Sequence, residues 1–174
     1  METLECIRTR RSIRKYKEDP IPNELLEKIL EAGMWAPTGM GKQSPTIVAI
    51  TNKGQRDRLM KLNAEIMNYD KDPFYGAPVV LVVLVDKSIP TAENDGELVI
   101  QNMLLAAHDV GLAACYIWRA KAEFESDEGK KMLADWGLPT DVDFEGVGHV
   151  ILGYADMPVP DPAPRKANYV YYVK

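Results

Sequence analysis

Residues 76–87, GAPVVLVVLVDK, form the stretch that most narrows the possible folds. Its β-branched residues follow one another without polar alternation, between Gly-Ala-Pro on one side and Asp-Lys on the other. Such a run predicts a strand buried on both faces, because a strand with one solvated face alternates apolar and polar side chains. Helices must then cover both sides of its sheet. The apolar run is too short to span a bilayer, so we predict no membrane segment.

Periodic segments on either side of this run predict the other elements. Helical patterns cover residues 2–9, 54–69, 91–114 and 126–136, another helix begins at Pro22-Asn23 and ends at Pro37, and strand patterns cover 45–51, 114–118 and 146–154. The helix at 91–114 is nearly apolar around its circumference from Leu98 to Val110, which predicts a central, buried helix with Gly111 as its C-cap. No repeat or domain boundary is visible, so residues 1–174 form one predicted domain.

Composition excludes several classes of function. The chain has 174 residues, 46% of them hydrophobic, and a net charge of −5, whereas a general nucleic-acid binder is normally basic over a broad face. Two cysteines, Cys6 and Cys115, and two histidines, His108 and His149, are isolated in the sequence, which argues against a metal site, a Cys/His nucleophile pair or a disulfide framework. The N-terminal METLECIRTR lacks the apolar segment of a secretory signal, so we expect a cytoplasmic location.

A basic run near the N-terminus stands out in this acidic chain. Residues 7–16, IRTRRSIRKY, hold four arginines and a lysine. A local positive field of this kind suits a small anion better than a polymer. Arg10, Arg11 and Ser12 together could cage a phosphate through charge-assisted hydrogen bonds. A solvated basic surface and a nucleic-acid arm are the alternatives.

Two further stretches carry polar or aromatic groups between regular elements. The Gly-rich loop APTGMGKQSP, residues 36–45, offers Thr38, Lys42 and Gln43 as polar groups but lacks the order of a Walker loop. In GLAACYIWRA, residues 111–120, Cys115 is expected in the core, and Trp118 could be a core residue or flank a ring ligand.

The last residues predict an extended arm. Prolines occupy every second position from Pro158 to Pro164, which excludes a helix and favours a polyproline-like path. The basic pair Arg165-Lys166 and the strand-like NYVYYV, residues 168–173, follow. An ordered apolar arm needs a surface to lie on, such as another subunit, and a loose surface tail is the alternative.

These stretches, in this order, resemble the FMN-dependent nitroreductase family. The resemblance is carried by RRSIRKY, by the helix ending AGMWAPTGMGKQSP before a strand, by the apolar helix ending Gly-Leu before a Cys-x-Ile strand, and by GHVILGY followed by prolines and a basic pair. It covers nearly the whole chain. It implies an α+β fold with a central, mostly antiparallel sheet between helices, and an intertwined homodimer with an extended C-terminal arm and FMN at the subunit interface.

The resemblance also assigns roles to individual residues. It implies that Arg10, Arg11 and Ser12 hold the FMN phosphate and ribityl end, with Arg14 near the pyrimidine edge and Arg165 and Lys166 reaching the phosphate. Pro37, Thr38 and Gly39 match the loop that the partner subunit lays against the isoalloxazine, and Gln43 matches a glutamine near the ring. The backbone of Trp118 and Arg119 matches the segment beside flavin N5. No catalytic side chain and no metal is implied.

Three departures from the family pattern affect the ring. Gly41 replaces an asparagine, Ser44-Pro45 replaces Pro-Trp, and Arg119 replaces the glycine beside N5. The Trp118 and Arg119 side chains could narrow the substrate pocket, could place a cation near the ring, or could point away from it. Few residues separate Trp118 from Gly146, so we expect a more open site than in members with a helical lid, or one shaped by the loop at 68–76.

The function implied by the resemblance is that of a flavoenzyme. It would hold FMN tightly and use NADH or NADPH to reduce nitroaromatic, quinone or similar electron-poor small molecules by a ping-pong mechanism. The alternative is a flavin-binding protein for storage, delivery or sensing. It stays open because Gly41 and Arg119 replace family residues that contact the flavin ring. A nucleic-acid module is disfavoured by the net charge.

Overall fold

The computed structural model describes residues 1–174 and contains six α-helices, one short 3₁₀ helix (Gly39–Gly41) and four strands. The helices are α1 (Thr3–Thr9), α2 (Asn23–Met34), α3 (Lys53–Met67), α4 (Ala92–Asp109), α5 (Ala120–Glu125) and α6 (Asp127–Asp135); the strands are β1 (Pro45–Ile50), β2 (Val79–Asp86), β3 (Ala113–Ile117) and β4 (Phe144–Gly153). All strand pairs are antiparallel, in the order β1-β2-β4-β3. The predicted α+β class with an antiparallel sheet is therefore confirmed.

Strand β2 lies inside this sheet and is covered on both faces, as its sequence predicts. Leu81 and Val83 face a core cluster that contains Ile29 of α2 and Met103 of α4. Val80, Val82 and Leu84 face a second cluster, formed with apolar residues of α3, α5 and α6. Each of these five strand residues is fully buried. Apolar burial on both faces is thus what holds the three layers together.

Helix α4 is only partly enclosed within the single chain. Met103 and Ala107 are fully buried, but Leu98 is 45% exposed. The expectation that this helix is buried on all sides is therefore wrong for the isolated chain, since its apolar outer face has no covering element. Gly111 adopts a φ of 82° just after the helix, which confirms its place at the helix end.

The connection between β3 and β4 contains two short helices where the sequence predicts one. Ser126 ends α5 and also caps α6, because its hydroxyl accepts a hydrogen bond from the Gly129 amide at 3.0 Å. Phe124 of α5 and Met132 of α6 are buried in the second cluster. The segment therefore packs against the sheet rather than extending over its edge.

The arm after Met157 is exposed and forms neither helix nor strand. The strand-like pattern at 168–173 produces no strand in the single chain, because a strand needs a hydrogen-bonded neighbour and the arm has none here. No helix of the structure has the length and apolar character needed to cross a membrane.

Candidate functional site

The N-terminal arginines lie where α1 gives way to an extended segment beside β3. Ser12 pairs with Ala114 in an isolated β-bridge, and the Ile13 amide donates to the Ala114 carbonyl at 3.1 Å. This pairing holds Arg10 and Arg11 against the end of α4 and the start of β3. The predicted basic cluster is thus built into the fold rather than lying on a free arm.

Arg10 and Arg11 line a cavity of about 240 Å³ together with His108, Ala114 and the arm residue Val159. Two of their guanidinium nitrogens, Arg10 Nη1 and Arg11 Nε, are buried without a hydrogen-bond partner. Arg11 Nη1 is satisfied separately, since it donates to the Arg8 and Arg10 carbonyls at 2.7 Å each. Buried cationic donors without a partner are costly, and an anion bound beside these two arginines would offset that cost.

The positive charge around this cavity affects the pKa of His108, which lines it. Burial, together with the neighbouring Arg10 and Arg11 charges, lowers the pKa of His108 below its ordinary value. His108 Nε2 lies 2.8 Å from the Thr9 hydroxyl. Burial and the two arginines thus disfavour the charged form of the imidazole, while Arg10 and Arg11 supply the positive charge beside the cavity.

Ser12 and Arg14 lie further along the same segment, next to β3. Arg14 is exposed, while Cys115 on β3 is almost completely buried, which confirms Cys115 as a core residue. Burial raises the pKa of Cys115, and the opposing influences of Arg14 and Ser12 show that both lie near the thiol. Arg10, Arg11, Ser12 and Arg14 therefore share one side of the molecule.

The Gly-rich loop is held at the opposite end of α4. Asp95, which is 3% exposed, accepts hydrogen bonds from the Gly39 amide at 3.0 Å, the Thr91 hydroxyl at 3.0 Å and the Ser44 hydroxyl at 3.3 Å. A side chain at Gly39 would overlap Thr91 Oγ1. The buried carboxylate thus fixes the loop so that its tip can meet another surface.

Within the tip, Thr38 orders the chain while its neighbours face outward. The Thr38 hydroxyl accepts a hydrogen bond from the Gln43 backbone amide at 3.1 Å. Pro37 and Gln43 are exposed. Asp95 and His108 lie thirteen residues apart along α4, or about 20 Å at the rise of an α-helix. One chain therefore does not bring its own loop into contact with its own arginine cavity.

The Trp118–Arg119 turn follows β3 directly. Arg119 has a φ of 89°, a backbone conformation that glycine adopts most easily. Its Nε donates to Asn63 Oδ1 on α3 at 3.0 Å, so the side chain is held against the protein. The Trp118 side chain, in contrast, is 68% exposed. Trp118 is therefore not a core residue, and its ring is free to meet a ligand.

A buried polar network behind this turn is missing from the sequence-based expectations. His149, expected to be isolated, lies 2.7 Å from Glu123, and Glu123 accepts a hydrogen bond from Asn63. All three side chains are fully buried. The signal available in the sequence was a histidine in the otherwise apolar strand pattern GVGHVILGY.

Arg165 and Lys166 make only local contacts in the single chain. Arg165 donates to the Ala163 carbonyl at 2.7 Å, and the Lys166 ammonium lies 5.3 Å from the centre of the Tyr169 ring. The arm reaches the arginine cavity through Val159, not through the basic pair. Their proposed role at a phosphate therefore depends on how the arm lies in an assembly.

Comparison with known proteins identifies the family. The sequence model of the Nitroreductase family matches residues 7–154, and the chain belongs to this family. It resembles a nitroreductase with bound FMN from Bacteroides fragilis, with a TM-score of 0.90, 28% identity and 100% of both chains covered. A nitroreductase with bound FMN from Desulfitobacterium hafniense gives a TM-score of 0.87 at 27% identity, covering 99% of this chain and 98% of that one.

Curated relatives are similar over part of their length. An NADPH-flavin oxidoreductase of Vibrio harveyi is 31% identical over 126 residues, which cover 66% of this chain and 52% of that protein. The chain spans 60% or less of the length of several curated relatives that it matches.

Proposed function

We propose that this chain is an FMN-dependent oxidoreductase that uses NADH or NADPH to reduce nitroaromatic, quinone or similar electron-poor small molecules by a ping-pong mechanism. The carrying observation is the pair of buried, unpaired guanidinium nitrogens, Arg10 Nη1 and Arg11 Nε, at one cavity. Family membership and the FMN in the Bacteroides fragilis and Desulfitobacterium hafniense nitroreductases support FMN as the ligand.

The geometry along β3 fits an elongated ligand with an anionic end. Ala114 lies at the arginine cavity, and Trp118 follows the other end of the strand, about 13 Å away at the rise of a strand. We infer that Arg10, Arg11 and Ser12 hold the phosphate and that the ring lies toward Trp118, with Arg14 near its pyrimidine edge. Bound FMN would accept a hydride from the nicotinamide and pass electrons to the substrate.

The site requires a second copy of the chain. The loop that carries Pro37, Thr38, Gly39 and Gln43 is anchored at Asp95, about 20 Å along α4 from His108 of the arginine cavity, so we infer that it serves a partner's flavin. Large apolar side chains exposed on α1, α2 and α4 support a homodimer through this face: Leu4, Ile7, Met34 and Leu98. The exposed arm then crosses onto the partner and brings Arg165 and Lys166 to a phosphate.

The chain's own residues act by binding and positioning. The arginines neutralise the phosphate, Asp95 holds the loop that covers the ring, and the exposed Trp118 ring offers a flat face for an aromatic substrate. No nucleophile or metal is required, since the flavin carries the electrons.

Absorption spectroscopy and rapid mixing test this proposal. We expect purified protein, or protein incubated with FMN, to show a bound-flavin spectrum that bleaches within seconds in NADH or NADPH and recovers with a quinone or nitroaromatic acceptor. Protein that binds no FMN would refute the proposal. Bound flavin that neither nucleotide bleaches would instead favour a storage, delivery or sensing role.

A further inference from the structure

We propose that Asn63, Glu123 and His149 are positioning residues that fix the turn at residues 117–119 against the flavin ring. This inference rests on the proposed function. Its support is a set of hydrogen bonds that reaches each of the three consecutive residues of the turn, joined through a 2.7 Å contact between His149 and Glu123.

The first link is His149 on β4. Its Nδ1 lies 3.1 Å from the Ile117 carbonyl oxygen. A carbonyl only accepts, so Nδ1 must carry a proton in this arrangement. The other ring nitrogen, Nε2, lies 2.7 Å from Glu123 Oε2, and a hydrogen bond there needs one proton between the two atoms. His149 therefore joins the end of β3 to the Glu123 carboxyl group on α5.

The second link is Asn63 on α3. Its amide nitrogen donates to Glu123 Oε1 and also to the Trp118 carbonyl, the latter at 3.2 Å. Its amide oxygen accepts from Arg119 Nε at 3.0 Å. Both donor hydrogens and the acceptor oxygen of one side chain are thus in use. Ile117, Trp118 and Arg119 are each held at one point.

Packing alone does not explain this arrangement. Asn63, Glu123 and His149 are fully buried, where apolar side chains would fill the same space without the cost of desolvating polar groups. The turn they hold contains Arg119 at a φ of 89°, a conformation unfavourable for a residue with a β-carbon. The network defines the position of a strained turn that would otherwise relax. The Phe74 ring packs on the imidazole, with centroids 5.5 Å apart, and closes the network from solvent.

Substitution of Asn63 tests the inference, with Asn52→Ala as the matched control. Asn52 caps the same helix because its side-chain oxygen accepts a hydrogen bond from the Gln55 backbone amide, so Asn52→Ala also removes an asparagine hydrogen bond but leaves the turn intact. We expect Asn63→Ala to slow flavin reduction by NADH or NADPH at least about tenfold, with the FMN dissociation constant within about threefold of the wild-type value. It should also shift the visible flavin spectrum and speed amide hydrogen exchange at 117–120 in the FMN-free protein. Asn52→Ala should do none of these.

Two substitutions of Glu123 test whether a conservative replacement preserves the function of the network. In Glu123→Gln, the carboxamide oxygen can still accept from Asn63 and its nitrogen can donate to His149 Nε2, so we expect a reduction rate within about threefold of wild type. Glu123→Ala should match Asn63→Ala. If Glu123→Gln and Glu123→Ala are equally impaired, the hydrogen-bond chain is not what positions the turn.

Arg119→Met keeps the test decisive if Asn63→Ala does not fold. Arg119 is only half-buried, so this variant removes one anchor at little cost to the core. We expect an altered flavin spectrum and a reduction rate lower than that of wild type by more than about threefold. Variants that fold, bind FMN and match the wild-type spectrum and rate would overturn the inference. Wild-type protein without FMN binding would refute the proposed function instead, because that result does not involve the turn.

Discussion

The Asp95 carboxylate accepts a hydrogen bond from the Gly39 amide, 3.0 Å away and 56 residues earlier in the chain. The same carboxylate accepts from the Ser44 and Thr91 hydroxyls. Asp95→Ala leaves three partners without an acceptor, so we expect the free energy of unfolding of the FMN-free protein to fall by about 3 kcal/mol in urea titrations.

Two further variants serve as controls for the unfolding free energy lost in Asp95→Ala. Asp95→Asn keeps one acceptor oxygen for Gly39 and should cost clearly less than Asp95→Ala. Glu93→Ala, an exposed acid on the same helix, should change the unfolding free energy by less than about 0.5 kcal/mol. Equal losses for Asp95→Ala and Glu93→Ala would show that the loop is held by other contacts.

Removal of one arginine from each basic segment should release the cofactor. If Arg11 and Arg165 meet at a phosphate, the variant carrying Arg11→Ala and Arg165→Ala should purify largely colourless. Arg8→Ala removes an exposed arginine of the same basic run and should leave the flavin content unchanged. The ratio of flavin to protein absorbance measures the outcome. A double variant as yellow as wild type would contradict the phosphate assignment.

Deletion of residues 158–174 should weaken the dimer more than the fold. The arm is exposed and makes few contacts with its own chain, so the truncated protein should remain folded by circular dichroism. Light scattering after size-exclusion chromatography should show a shift toward monomer at micromolar concentration. Removal of Lys174 alone serves as the control. A truncated protein that remains fully dimeric would refute arm exchange.

Acidic pH should destabilise the FMN-free protein through His108. The folded state holds the pKa of this imidazole below 6.5, so unfolding takes up a proton as the pH falls through that value. Stability from His108 is therefore present above this pH and lost below it. Thermal melts at about pH 7.5 and about pH 5.5 should show a smaller drop for His108→Asn than for wild type. An equal drop in melting temperature in both proteins would show that His108 does not cause the loss of stability at acidic pH.

The left-handed backbone at Arg119 predicts an unusual order of stabilities. Arg119→Gly and Arg119→Ala lose the same hydrogen bond to Asn63, but only alanine keeps a β-carbon at a φ of 89°. The glycine variant should be more stable by about 1 kcal/mol. At Lys121, inside α5, the order should reverse, with alanine more stable than glycine. Equal stabilities of the two Arg119 variants would indicate that the turn rearranges.

Local patterns in the sequence predict the layers of this fold. Residues 76–87 carry the signature of burial on both faces, and β2 is covered by helices on each side. Helix α5 escapes prediction because six residues make less than two helical turns and show no clear periodicity. The exposure of Leu98 could not be predicted either. An apolar helix face in the sequence indicates that another surface covers it, but not whether that surface belongs to the same chain.

The residues of the candidate site also fall into those that the sequence predicts and those that it does not. The basic run predicts an anion site because its residues are consecutive, and Arg10 and Arg11 do share one cavity. The contact between His149 and Glu123 joins side chains on different elements, which meet only after the sheet has formed. Neither residue alone carries a pattern that names its partner. Non-local polar contacts of this kind are what sequence reasoning leaves out.

The strand order β1-β2-β4-β3 constrains biosynthesis. Among the four strands, β3 pairs only with β4, and β2 needs β4 to complete its second edge. On the ribosome, residues 79–117 are therefore translated before the strand that joins their two halves exists. The backbone groups at their edges stay unpaired until residues 144–153 emerge, and an unpaired edge on an apolar strand is a site at which a nascent chain can aggregate.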